Sequence, residues 1–183
     1  MPPYLAVPHF PLSKLPITTK VALTIFAFSL FSGIFFVGVV LFAERTGWTA
    51  EGAAMNYGGS ERYAEETGVI AEELVVELPK REIYDIIHPH SFLMPVIFFI
   101  LCHLMEMSFG PKWLKLTLYI GSGVGMLVVI FAPLLIFASL PMAVILAPAV
   151  GVMLLGFAVM IVMPVIQMWK PVASSQEPVV SSQ

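Results

Sequence analysis

Three of the four histidines, His88, His90 and His103, lie in and beside a single apolar run, Ser91–Met107, with Asp85 just upstream and Glu106 near its end. Neutral imidazole is the usual axial ligand of haem iron and a common ligand of zinc and copper. An ionisable group inside an apolar helix is costly enough to demand a partner. His90 and His103 are 13 residues apart, about 20 Å along an ideal helix, which resembles the separation of stacked haem ligands in membrane b-type cytochromes. Thirteen steps of about 100° place those two some 220° apart, whereas His88 and His103, fifteen steps apart, fall within about 60° of one face. The candidate b-haem ligands are therefore His88, His90 and His103. Asp85, His88 and His90 form an alternative metal set, an acid and two imidazoles within six residues. His103 and Glu106 share a helix face as an i, i+3 pair.

The elements that position these groups belong to a membrane. Of 183 residues 58% are hydrophobic and only 11% charged, against about 25% charged in soluble domains. Four apolar stretches approach the roughly 20 residues that cross a hydrocarbon core: Val21–Ala43, Ser91–Met107, Leu116–Ala138 and Met142–Trp169. The first is too long for the h-region of a cleavable signal and is followed by Glu44-Arg45, so it stays as a helix. The pattern predicts an all-α, integral membrane four-helix bundle over residues 21–170. Residues 1–20 form an N-terminal tail carrying His9, and residues 171–183 form a Ser-rich, disordered C-terminal tail. The single cysteine, Cys102, excludes a disulfide framework within the chain.

One extramembrane loop of about 44 residues, 44–87, separates the first two helices and carries ten acids against four bases, a net charge of −6. Within it Tyr63, Val69, Ile70, Leu74 and Leu78 recur at near-helical spacing and predict an amphipathic helix over Ser60–Leu78. The run Gly47–Gly59 reads as a folded-back turn at headgroup level, where Trp48 and Tyr57 are at home. Pro89 fits the first turn of the second helix, with His88 at its cap, and Pro95 should kink it. The basic turn Phe109–Lys115 makes the second and third helices antiparallel neighbours, and Ser139-Leu140-Pro141 returns the chain into the fourth.

Lys and Arg set membrane orientation. Lys14, Lys20, Lys112, Lys115 and Lys170 gather at one side, against Arg45, Lys80 and Arg81 near a helix on the other, with Arg62 farther away. Both termini are accordingly expected in the cytoplasm of a bacterial inner membrane and the acidic loop outside. That loop is suited to attract a basic soluble partner such as a c-type cytochrome.

No phosphate-binding loop, H-E-x-x-H, nucleophile elbow or basic nucleic-acid patch occurs. The chain thus reads as a non-catalytic subunit or electron carrier with lipid around it and no nucleic-acid partner. The first, third and fourth helices contain no histidine, so a second haem ligand must come from a homodimer, another membrane subunit, or a methionine among Met126, Met153, Met160 and Met163. Gly121, Gly123 and Gly125 offer either room for a macrocycle or close helix packing, and Arg45, Lys80 or Arg81 can pair with propionates.

Thr18-Thr19-Lys20, the run Arg45-Thr46-Gly47-Trp48-Thr49-Ala50-Glu51-Gly52, the segment His88-x-His90-Ser91-Phe92-x-Met94-Pro95 and then His103 resemble a family of small, functionally uncharacterised bacterial four-helix inner-membrane proteins. The resemblance covers about residues 15 to 170 and rests on H-x-H-x12-H and the hydropathy. It implies the four-helix topology and assigns no reaction; Pro89 stands where an aromatic residue is common. Two functional expectations follow. The first is a membrane electron-transfer subunit binding b-type haem through the second helix. The second is a cofactor-free accessory or scaffolding subunit of a larger respiratory or photosynthetic complex.

Overall fold

Prolines and glycines punctuate the chain into helices. The computed structural model describes residues 12–70 and 73–171; His9 and the expected C-terminal tail beyond residue 171 lie outside them. In chain order the helices are α1 (Ile17–Thr46), α2 (Ala50–Gly58), α3 (Ser60–Thr67), α4 (Lys80–Glu106), α5 (Lys112–Ala138) and α6 (Leu140–Trp169). Among the described residues, α1, α4, α5 and α6 are long and apolar enough to cross a membrane. The fold is the all-α membrane arrangement that the hydropathy predicts. α1 contains a π-helical stretch, Ser32–Val37, and α6 opens with a tighter turn, Leu140–Ile145.

The central element is α6, because its apolar residues run all round it. Met153, Phe157, Met160 and Ile161 are buried against α5 on one side and α4 and α1 on the others. Gly125 and Gly156 let α5 and α6 approach closely. A Cβ on Gly125 would stand 2.9 Å from the Ala149 carbonyl, and one on Gly156 would collide with Ser122. α4 docks through Leu101 and Met105, both fully buried, and through Phe98 stacked on Phe157 with ring centroids 6.1 Å apart. α1 leans on α6 through Ala27, and Trp169 Nε1 donates to Thr24 Oγ1 at 3.0 Å.

Helix α4 starts eleven residues before the apolar run expected for it. Its N-cap is Pro79, and Ile83 and Ile87, one turn apart, are both buried, so the amphipathic segment Lys80–Ile87 continues the helix outward. Pro89 is consequently the tenth helical residue instead of a first-turn residue, and His88 is helical instead of a cap. The cost is local, since a proline lacks one N–H and leaves one carbonyl a turn earlier unpaired. Helix α5 likewise begins before its apolar run, directly after Pro111.

The segment between α1 and α4, the cap of the bundle, is folded. Gly47 and Trp48 turn the chain with φ of 56° and 61°, and Phe42 meets the Trp48 ring edge to face at 4.7 Å. The expected turn region then becomes a helix instead, because Thr49 caps α2 by accepting the Gly52 N–H at 2.9 Å. Ala53 and Ala54 bury α2 against the turn that opens α6. The amphipathic helix expected to reach Leu78 stops at Thr67. Gly68 adopts φ of 74° and returns its N–H to Ala64, a left-handed conformation that ends helices. Residues 73–79 carry no regular element and are held where Ser60 N–H donates to the Val75 carbonyl at 2.8 Å and Val75 N–H to Ser60 Oγ at 3.0 Å.

Candidate functional site

Helix α4 carries its ionisable groups on the outside of the bundle. Buried Ile83, Ile87, Leu101 and Met105 define its inner face. His88, Phe92, Val96, Phe99, His103 and Glu106 recur at steps of three and four along the outer face, and all are exposed. The His88 ring meets Phe92 edge to face with centroids 5.3 Å apart. The imidazole of His103, deepest of the three histidines within the apolar run, makes no hydrogen bond or ion pair among the described residues. His90 points elsewhere, about 160° around the helix from His88, and its Nδ1–H donates to the Ile86 carbonyl.

These placements sort the expected ligands. His88 and His103 share one outward face and His90 does not. Asp85 is exposed one turn before His88, but among the described residues no three His, Cys, Asp or Glu side chains converge as a metal site. Helical geometry explains this, since Asp85 and His90 are about 140° apart on the same rigid element. Met126, Met153 and Met160 are buried in the core between α5 and α6, away from the histidine face. Gly123 is filled by Phe98 at 3.3 Å and Gly125 by the α6 backbone, so these glycines serve helix packing. His88 and His103 thus face away from the rest of the described bundle.

The polar cluster at the opposite end of α4 joins Glu106 and Lys115 to Tyr119, a residue that the sequence did not single out. Tyr119 O–H donates to Glu106 Oε1 at 2.8 Å and approaches the Cys102 carbonyl at 3.2 Å. Lys115 is almost wholly buried, donates to the Glu106 carbonyl at 3.0 Å and lies 3.6 Å from its carboxylate. The signal was available: Glu106 and Lys115 flank the Gly110-Pro111 turn, which folds α5 back on α4. The turn is pinned to α6, where Gln167 Oε1 accepts the Phe109 N–H at 2.6 Å and Gln167 Nε2 donates to the Phe109 carbonyl at 2.7 Å.

At the outer end the corresponding residue is Arg62. Its Nη1 donates to the Phe137 carbonyl at 2.7 Å, and its Nε lies 2.8 Å from Glu66. Phe137 is the penultimate residue of α5, so Arg62 satisfies one of the carbonyls that every helix leaves unpaired at its C-terminus. Tyr57, on α2 in the same outer cap, has its phenol pushed above the usual tyrosine range by burial, against a lowering by the Arg45 charge.

A family model described as a transmembrane helical domain matches residues 47–176. The chain belongs to that family. The match to the transmembrane helical domain begins immediately after α1 and takes in the outer cap, α4, α5 and α6. Both the histidine face and the Glu106–Lys115–Tyr119 cluster thus fall inside it. Neither a curated protein nor a solved structure matches the chain.

Proposed function

We propose that this protein is a bacterial inner-membrane subunit that assembles laterally, through the outward face of α4, with a second copy or another membrane subunit. The observation that carries this reading is the imidazole of His103, exposed at membrane depth and without a hydrogen-bonding partner among the described residues. An unsatisfied buried polar group costs on the order of 1–3 kcal/mol, and lipid tails offer no relief. Contact with another helix removes that cost. In an isologous pair about an axis normal to the membrane, each group meets its counterpart at equal depth, so His103 of one copy lies at the level of His103 and Glu106 of the other.

A second reading is favoured by His88 and His103 sharing that face fifteen residues apart, about 22 Å along the helix. Two such faces would supply a pair of imidazoles near each membrane surface, the ligand set of b-type haem. Haem would contribute one-electron redox chemistry, making the assembly an electron-transfer subunit. The outer segment, with its excess of acids, would then face a basic soluble carrier such as a c-type cytochrome. The five lysines at the other end support termini in the cytoplasm.

Two measurements test these readings. In a Cys102→Ser background, Phe99→Cys should cross-link between polypeptides in native membranes, while Ile120→Cys, on the outer face of α5, should not. Absence of any Phe99→Cys product refutes lateral assembly through α4. A visible spectrum of the purified protein decides the second reading. A Soret band with a reducible b-type α-band, lost in His103→Ala, is its expected result, and a pure, folded protein without Soret absorption refutes it.

A further inference from the structure

Between the ends of α4 and α5 lies a cleft of about 440 Å³ lined by Ser108, Phe109, Lys112, Lys115, Leu116 and Tyr119, with Glu106 at its edge. We propose that this cleft seats the phosphate of an anionic phospholipid. The depth is right for a headgroup. Trp113 and Phe109 are exposed beside it, and at the same end Lys20 sits 5.8 Å over the Trp169 ring, the aromatic and basic belt of a membrane interface.

The charge is matched as well. Lys14, Lys20, Lys112, Lys115 and Lys170 collect at this end, with Glu106 as the acid among the described residues there. Within the cleft Lys115 is balanced by Glu106 at 3.6 Å, and both Glu106 oxygens face a donor, Tyr119 for one and Lys115 for the other. Lys112 has no ion pair among the described residues. One uncompensated positive charge therefore remains, the complement of a singly charged phosphodiester. The ammonium of Lys115 has three donors; one goes to the Glu106 carbonyl, and the carboxylate lies beside it as an ion pair at 3.6 Å, so donor capacity remains for a phosphate oxygen. Below the cleft, Leu116, Ile120 and Val124 form an exposed apolar stripe down α5, along which acyl chains can lie. A free phosphate would use the cleft and leave that stripe idle, which is why the lipid is the preferred occupant.

The test uses full-length protein in detergent, with lipid retention read by native mass spectrometry and by thermal midpoint. Phosphatidylglycerol should be retained and should raise the midpoint, whereas phosphatidylcholine and inorganic phosphate should do neither. Lys112→Ala should weaken phosphatidylglycerol retention about five-fold, the effect of one lysine near an anionic surface. Lys170→Ala, at the same end but outside the cleft, should weaken it less. Lys112 is exposed, so its replacement leaves the folded bundle intact, which a far-ultraviolet spectrum verifies. Equal retention of the two lipids overturns the proposal, as does equal weakening by the two variants, which would mean diffuse attraction to the surface. Stabilisation by inorganic phosphate to the same extent as by lipid also overturns it, in favour of a small-anion site.

Discussion

Arg62 joins the outer cap to the membrane helices, and its removal gives the most specific stability prediction. A hydrogen bond from a charged donor contributes about 1.5–3 kcal/mol, and the bond to the Phe137 carbonyl, at 2.7 Å from a side chain only 27% exposed, belongs in that class. The i, i+4 pair with Glu66 adds only about 0.3–0.5 kcal/mol, and Glu77 at 3.9 Å adds less. Arg62→Ala should thus loosen α2 and α3 by about 2 kcal/mol, roughly a 30-fold change in the opening equilibrium. Glu66→Ala should change it about two-fold. The opening is local, so amide hydrogen exchange of residues 50–67 in detergent or nanodiscs is the suitable assay, with the core of α6 as internal reference. Arg62→Lys should fall between, keeping the charge but losing the fork that reaches Phe137 and Glu66 together. If Glu66→Ala loosened the cap as much as Arg62→Ala, the ion pair and not the helix-end carbonyl would be the important contact, and the reasoning would be refuted.

Two further outcomes follow from the packing and the electrostatics. Gly125→Ala drives a methyl against the Ala149 carbonyl and Met153 and should destabilise the bundle by about 1–3 kcal/mol. Gly33→Ala, with nothing within 4 Å, should be tolerated, and unfolding in mixed detergent compares the two. Burial raises the Tyr57 phenol, so the folded cap keeps a proton that the unfolded chain releases above about pH 10. Its contribution to stability is complete below that pH and is lost as pH rises toward the folded value. Tyr57→Phe should accordingly lose less stability above pH 10 than the parent protein, as read by thermal midpoint against pH.

The membrane helices were legible because apolar length is an unmistakable signal, whereas their outer extensions were not. A hydropathy window sees Ser91–Met107 but discounts Lys80–Ile87, where the informative residues are Ile83 and Ile87, one helical turn apart between charges. In the outer cap, Gly68 outweighed the periodicity continuing to Leu78, since a left-handed glycine ends a helix whatever follows it. Helix α2 was missed although Thr49 stands three residues before Gly52 in capping register. Helical phase alone grouped His88 with His103 and apart from His90. It did not say which way that face points, because both faces of a membrane helix are apolar and it takes the burial of Ile83, Ile87, Leu101 and Met105 to reveal the inner one. The pairing of Glu106 with Lys115 and Tyr119 was not legible because Glu106 reaches them across a turn and not along a helix.

The bond from Lys115 to the Glu106 carbonyl bears on how the protein is made. It closes a loop of nine residues, so it can form as soon as α5 leaves the ribosome, before α6 emerges. α4 and α5 would enter the bilayer as a hairpin, with Lys115 delivered to its acceptor at the membrane edge. α6, whose sequence is apolar on every side, would then be received by a surface already prepared for it. A ribosome-bound chain that ends in a linker placed after Ala138, long enough to carry α5 clear of the exit tunnel and lacking α6, should therefore already protect Lys115 from amine-reactive labelling, and replacing Gly110-Pro111 should delay that protection more than it weakens the finished bundle.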